Sequence, residues 1–169
     1  MVDIQTISIV IASAGVFTAA IYYIFQIRHQ IKLRETDLLI RLYSSMATNK
    51  EFMRDLWKVY DLKFQDYDDF TKRYGSITDI HEKNSDLEDS MNVVFNQTDL
   101  LGHLLKRKVV DVDLLYEFYD ITNLWEKVKP LVEGFRKEQN TPKLCEWFEY
   151  LYNEMRKKEQ KLQKGVKIV

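Results

Sequence analysis

The chain is 169 residues long, with room for one modest domain and an anchor. Its 25 basic and 26 acidic residues leave a net charge of -1, so no global field exists to collect nucleic acid, and no nucleic-acid partner is expected. A single cysteine excludes an intrachain disulfide, while five glycines and two prolines argue for long helices over a turn-rich β protein.

Ile4 to Ile27 carries no charged residue. At ~1.5 Å per residue this run covers about 36 Å, enough to cross a hydrocarbon core of roughly 30 Å with some tilt. A cleaved signal peptide would need a basic start, and this chain begins Met1-Val2-Asp3. Its one small-residue candidate cleavage site, Ala12-Ser13-Ala14, falls in the middle of the apolar run. The expectation is therefore a retained transmembrane helix over 4–27, with residues 1–3 outside. Arg28, Lys32, Arg34 and Arg41 follow the span and no base precedes it, which places the rest in the cytoplasm. Arg28, Lys32 and Arg34 are the bases expected to face lipid headgroups, with Tyr22, Tyr23 and His29 at the same level. Ser8, Ala12, Gly15 and Ala19, spaced four, three and four apart, offer a small-residue face on which two spans can pair.

No proline or glycine falls between Gly15 and Gly75, so the first helix is expected to continue as a juxtamembrane segment over 28–46. Leu33, Leu38, Leu42 and Tyr43 give it an apolar stripe. A bundle of about four to five helices over 47–165 follows, with a tail over 166–169. Thr48-Asn49-Lys50-Glu51 reads as a capping box that starts a second helix with Phe52, Leu56, Val59 and Tyr60 on one face. Gln65 to Asp86 is polar and reads as a loop with one short helical turn around Asp68 to Tyr74. A third helix runs from about Ser85 to Lys108, burying Leu87, Met91, Val94, Phe95, Leu101, Leu104 and Leu105. Asp111 is the expected N-cap of a fourth segment through Leu114, Leu115, Phe118, Tyr119, Leu124, Trp125 and Val128, which Pro130 should kink or split before Leu131, Val132 and Phe135. Thr141-Pro142 should start a last helix that ends near Lys164, where Gly165 can stop it. Nothing alternates like a strand, and the fold class is all-α.

Chemistry is sparse. Helical bundles build di-iron sites from Glu-x-x-His pairs, and none occurs here. Asp99 and His103, one turn apart, are the nearest two-ligand arrangement, and a surface pair is the commoner meaning of that spacing. Cys145, with no histidine near it in sequence, reads as a small, partly buried hydrophobe before it reads as a nucleophile. No phosphate loop, nucleophile elbow or Cys-x-x-Cys is present, so no catalytic residue, cofactor or metal is expected. Charge is uneven: Asp61 to Ser90 holds nine acids against four bases, and Arg156 to Val169 six bases against one acid. The basic end can be a solvated helix C-terminus, or it can touch lipid or the acidic segment of another copy.

The segments Leu114-Leu115-Tyr116-Glu117-Phe118, Trp125 to Val132, Arg136, Pro142 and Phe148-Glu149-Tyr150-Leu151, behind an N-terminal span and a basic flank, resemble a family of small prokaryotic membrane-anchored proteins classed as a domain of unknown function. The resemblance implies a bacterial or archaeal source and an all-helical cytoplasmic domain, with Trp125, Pro130, Arg136, Phe148 and Glu149 as signature residues. It transfers no catalytic site. Arg136 and Glu149 are expected to form an ion pair between the last two helices. The functional expectation is a protein-interaction or scaffold module at the cytoplasmic face of the inner (plasma) membrane, partnered by lipid and by a second copy or another membrane protein. The alternatives are a membrane-tethered enzyme with an unrecognised site and a membrane effector in stress or phage defence.

Overall fold

The computed structural model describes residues 3–118 and 120–166. Most of the expected external N-terminus and C-terminal tail, and Tyr119 of the predicted fourth stripe, lie outside the described residues, as does the Phe118 side chain. Among the described residues there are seven α-helices and no strand. They divide into two compact units, Met1–Arg41 and Leu42–Val169.

The first unit belongs to α1 (Ile4–Ala47). Every described side chain from Ile4 to Arg34 is exposed, including Val16, Phe17 and Phe25 at 71, 70 and 66 %. The polar groups inside this apolar run are satisfied by their own helix: the Ser13 hydroxyl donates to the Ile9 carbonyl at 2.8 Å and Thr18 to Ala14 at 2.9 Å. Back-bonding of this kind lets a hydroxyl sit on a helix surface that meets no water. Of the expected juxtamembrane stripe, Leu33 is exposed.

The second unit holds the last turns of α1 with α2 (Lys50–Asp61), α3 (Tyr67–Tyr74), α4 (Ile80–Lys106), α5 (Val112–Phe118), α6 (Ile121–Glu138) and α7 (Glu146–Val166). The short α3 and α5 take the count above the four to five helices expected. Helix α4 packs against α2, α3 and α7, while α6 packs against α3 and α7. Val94, Leu101, Trp125, Val128, Leu131, Phe148 and Leu151 fill the centre, as the 3.6-residue periodicity predicts.

The boundaries depart from expectation for local reasons. Asn49, not Thr48, caps α2; its side-chain oxygen accepts from the N–H groups of Glu51 and Phe52 at 2.9 and 3.3 Å. The polar stretch after Gln65 yields α3, capped by Asp66 and closed by Gly75 at φ 105°. Phe70 and Ile80, fully buried, make it part of the core. Asn84 (φ -150°, ψ 56°) breaks the first turn of α4, and its amide donates to the Tyr74 carbonyl at 2.9 Å, so the regular helix begins at the expected Ser85. The fourth segment divides at Asp120, whose carboxylate caps α6, and Pro130 lies inside one uninterrupted helix instead of splitting it. Helix α4 ends in a Schellman turn: the Val109 N–H reaches the Leu104 carbonyl while Lys108 takes the left-handed conformation at φ 56°.

The largest displacement is at α7. Thr141-Pro142 does not start this helix; it opens a turn, Cys145 turns left-handed at φ 55°, and α7 begins at Glu146. It then runs one residue past Gly165 to Val166.

Candidate functional site

The apolar face of α2 is wider than the core can cover. Phe52 and Val59 are buried and Met53, Leu56 and Tyr60 half-buried, but Trp57 is 60 % exposed. Opposite lie Tyr43 and Met46 from the end of α1, Thr98 from α4, and Asp120, Ile121, Asn123 and Leu124 from the start of α6. Together they enclose an open groove of about 690 Å³. That volume falls in the range of small-ligand and peptide sites, which are mostly apolar with a few fixed polar groups.

The polar atoms of the groove gather at its α6 end. The Tyr60 hydroxyl donates to the Asp120 carbonyl at 3.4 Å, and burial followed by the Asp120 charge pushes its phenol above the usual tyrosine range. The Asp120 carboxylate accepts from the Asn123 N–H and side-chain amide at 3.4 and 2.6 Å. The Thr98 hydroxyl is turned back to its own helix, 2.8 Å from the Val94 carbonyl. No lysine or arginine lines the groove among the described residues, and Asp120 is its one acidic residue. The groove is thus mostly apolar, with its one acidic side chain at the α6 end.

A second cluster joins α4 to α7. Asp99 accepts from the backbone N–H groups of Trp147 and Phe148 at 3.0 and 2.9 Å, so a carboxylate from another helix caps α7. A Cβ built on Gly102 would lie 1.8 Å from the Trp147 carbonyl oxygen, so only glycine admits α7 this close. The His103 ring meets the Trp147 indole edge-on, 5.2 Å between centroids. The Asp99 and His103 side chains considered above as a ligand pair are thus engaged in holding α7. Among the described residues, no group of three or more His, Cys, Asp or Glu side chains converges to hold a metal.

Cys145 lies inside this junction. Burial, then the nearby Asp99 charge, push its thiol up to about 12. At physiological pH the thiolate, the reactive form, is a very minor species. Maleimide labelling of the native protein at pH 7.5 is expected to be slow and to accelerate sharply in urea. Labelling within seconds in the native state would contradict this assignment.

Arg136 on α6 donates from Nε to the Leu144 carbonyl and from Nη1 to Glu149 Oε2, both at 2.8 Å. The signature residues of the sequence resemblance meet here, since Trp125 packs edge-on against Phe148 at 4.8 Å between centroids. Pro130 lies apart from them, lining a shallow surface cleft with Tyr67 and Gly134. Ser8, Ala12, Gly15 and Ala19 lie on α1, all exposed, and a Cβ on Gly15 would meet nothing within 4 Å. Arg28, Lys32 and Arg34 are exposed as well. Much of the basic C-terminal charge is matched internally: Arg156 pairs with Glu159, Lys157 with Glu154 and Lys158 with Asp113, at 3.0, 2.7 and 2.7 Å.

Among the described residues, α1 is the one helix long and apolar enough to cross a membrane, over Ile11–Met46. The sequence matches the family described as Domain of unknown function (DUF4760) over residues 10–155, which takes in the second unit as far as Met155. The chain belongs to the DUF4760 family. No curated protein and no solved structure matches it. Within this DUF4760 chain, the groove was the feature hidden from sequence reading. Phe52, Leu56 and Tyr60 all fit a core stripe, and only packing reveals that α2 carries more apolar surface than α4 covers. The one available signal was Trp57, off the predicted stripe of Phe52, Leu56, Val59 and Tyr60 on a short amphipathic helix.

Proposed function

We propose that this DUF4760 protein is a single-pass membrane protein whose second unit is a cytoplasmic interaction module, acting through the groove between α2 and α6. The observation that carries the reading is the uncovered apolar surface of α1, where every described side chain from Ile4 to Arg34 is exposed. So large an apolar surface is stable only in lipid or against another chain. The basic flank after Ile27 orients the span with its C-terminal side inside. The groove, aromatic and without a base, supplies a surface on which a partner can be held.

A cysteine-accessibility scan tests the topology. Gln30→Cys, in intact cells, is expected to resist a membrane-impermeant maleimide and to label after permeabilisation, while Asp3→Cys labels in both. The reverse pattern would overturn the orientation, and equal labelling of both in a soluble fraction would overturn the anchor. Photo-crosslinking from position 57 in native membranes, followed by mass spectrometry, tests the interaction reading. It fails if no protein is captured.

A second reading follows from the small-residue face of α1. An effector that assembles through the span would lose oligomers on Gly15→Leu with Ala19→Leu, whereas a module that acts through the groove would keep its partner.

A further inference from the structure

We infer that the groove receives the C-terminal helix of a second copy of this chain. The inference rests on the interaction reading above and names the partner.

The occupant must bring apolar surface to the aromatic walls and positive charge to the end at Asp120. The last described turns of α7 have this chemistry. Gln160 to Lys164 are all exposed, Leu162 is 48 % exposed, and Lys161 and Lys164 have no ion pair among the described residues. The bases before them are matched within the chain, so the uncompensated charge is concentrated at the end of the helix. On the receiving side, Asp120 keeps lone pairs beyond the two bonds it makes to Asn123.

Placement favours exchange between two copies. Thr122 donates to Glu159 Oε1 at 2.9 Å, and Thr122 stands between Ile121 and Asn123 of the groove wall. Helix α7 therefore leaves the fold beside the groove. It continues without a break to Val166, so its last turns run about 10 Å on from the bond at Glu159, and an unbroken helix does not fold back on itself. A two-fold axis solves both constraints: each helix end crosses to the other groove, and the contact closes at two copies. Two chains anchored in one membrane meet at high effective concentration, so a small contact of this kind suffices.

The experiment uses the full chain in native membranes, in two differently tagged forms expressed together. One carries Leu162→Cys and the other Met53→Cys, on the groove wall; the native Cys145 is buried and serves as the background control. A short bis-maleimide is expected to give a dimer carrying both tags, absent when either form is expressed alone. Lys161→Glu with Lys164→Glu is expected to lower its yield at least about fivefold, since each lost rim pair and new repulsion weakens the contact. No mixed dimer from variants with unchanged circular dichroism overturns the proposal. So does crosslinking confined to a single chain carrying both cysteines, which would put each helix end in its own groove. Capture of a different protein from position 57, without mixed dimers, would overturn this proposal and leave the interaction module standing.

Discussion

Trp125→Ala is expected to lower the stability of the second unit by about 3–5 kcal/mol, the usual cost of emptying a large aromatic site in a core. Trp125 is 1 % exposed. It packs edge-on against Phe148 and lies 6.1 Å from the Tyr152 ring, so it ties α6 to α7 along two turns. Stabilities of domains this size are often about 5–15 kcal/mol, and the loss would leave a marginal fold. Thermal melts followed by near-ultraviolet circular dichroism, on the full chain in detergent, would read the effect. Trp125→Phe should cost less, because the ring contact with Phe148 survives. Equal melting of Trp125→Ala and the parent protein would show that α6 and α7 are held by something else.

The second large effect is expected at Gly102. In an exposed helix, glycine to alanine would stabilise by about 1 kcal/mol through helix propensity. Here the sign reverses. The added Cβ would lie 1.8 Å from the Trp147 carbonyl oxygen and 2.4 Å from its carbon, and neither is a flexible side-chain end that can step aside. Helix α7 must move out, and with it the two N–H groups that Asp99 caps. Overpacking of this kind costs about 1–3 kcal/mol, and loss of a cap about 1 more. After the propensity gain, the net loss is about 1–3 kcal/mol, or a fall of roughly 2–12 °C in Tm. The same melts measure it. A Gly102→Ala protein that melts at or above the parent temperature would show that α4 and α7 are not in this close approach. Asp99→Ala provides a companion measurement, since it removes the cap without the clash and should cost the smaller part.

Both effects meet at the start of α7, where sequence reading was furthest from the structure. Thr141-Pro142 has the local chemistry of a helix start, yet the helix begins four residues later at Glu146. The reason is tertiary. Asp99 is 48 residues away in sequence from Trp147, and nothing local announces that its carboxylate will satisfy the first N–H groups of another helix. With that cap in place, Cys145 can adopt the left-handed turn that aims α7 along α4. Gly102 carried as little signal, because a glycine in a helical pattern reads as a mild fault until the approaching backbone is seen. The candidate groove was hidden for a related reason: an amphipathic stripe shows which face of α2 is apolar, and not how much of it a neighbour covers.

By itself, the sequence determined what depends on spacing and on short-range chemistry. The all-α class and most core positions follow from the 3.6-residue period, and the cap at Asp111 follows from a side chain that reaches its own backbone. The apolar run over 4–27 follows from length and the absence of charge. Tertiary structure alone decided the start of α7, the burial of Phe70 and Ile80 within a polar stretch, and the bond from Arg136 to the Leu144 carbonyl beside its expected pair with Glu149. These features depend on groups brought together from distant parts of the chain, whose worth appears only once water has been excluded between them.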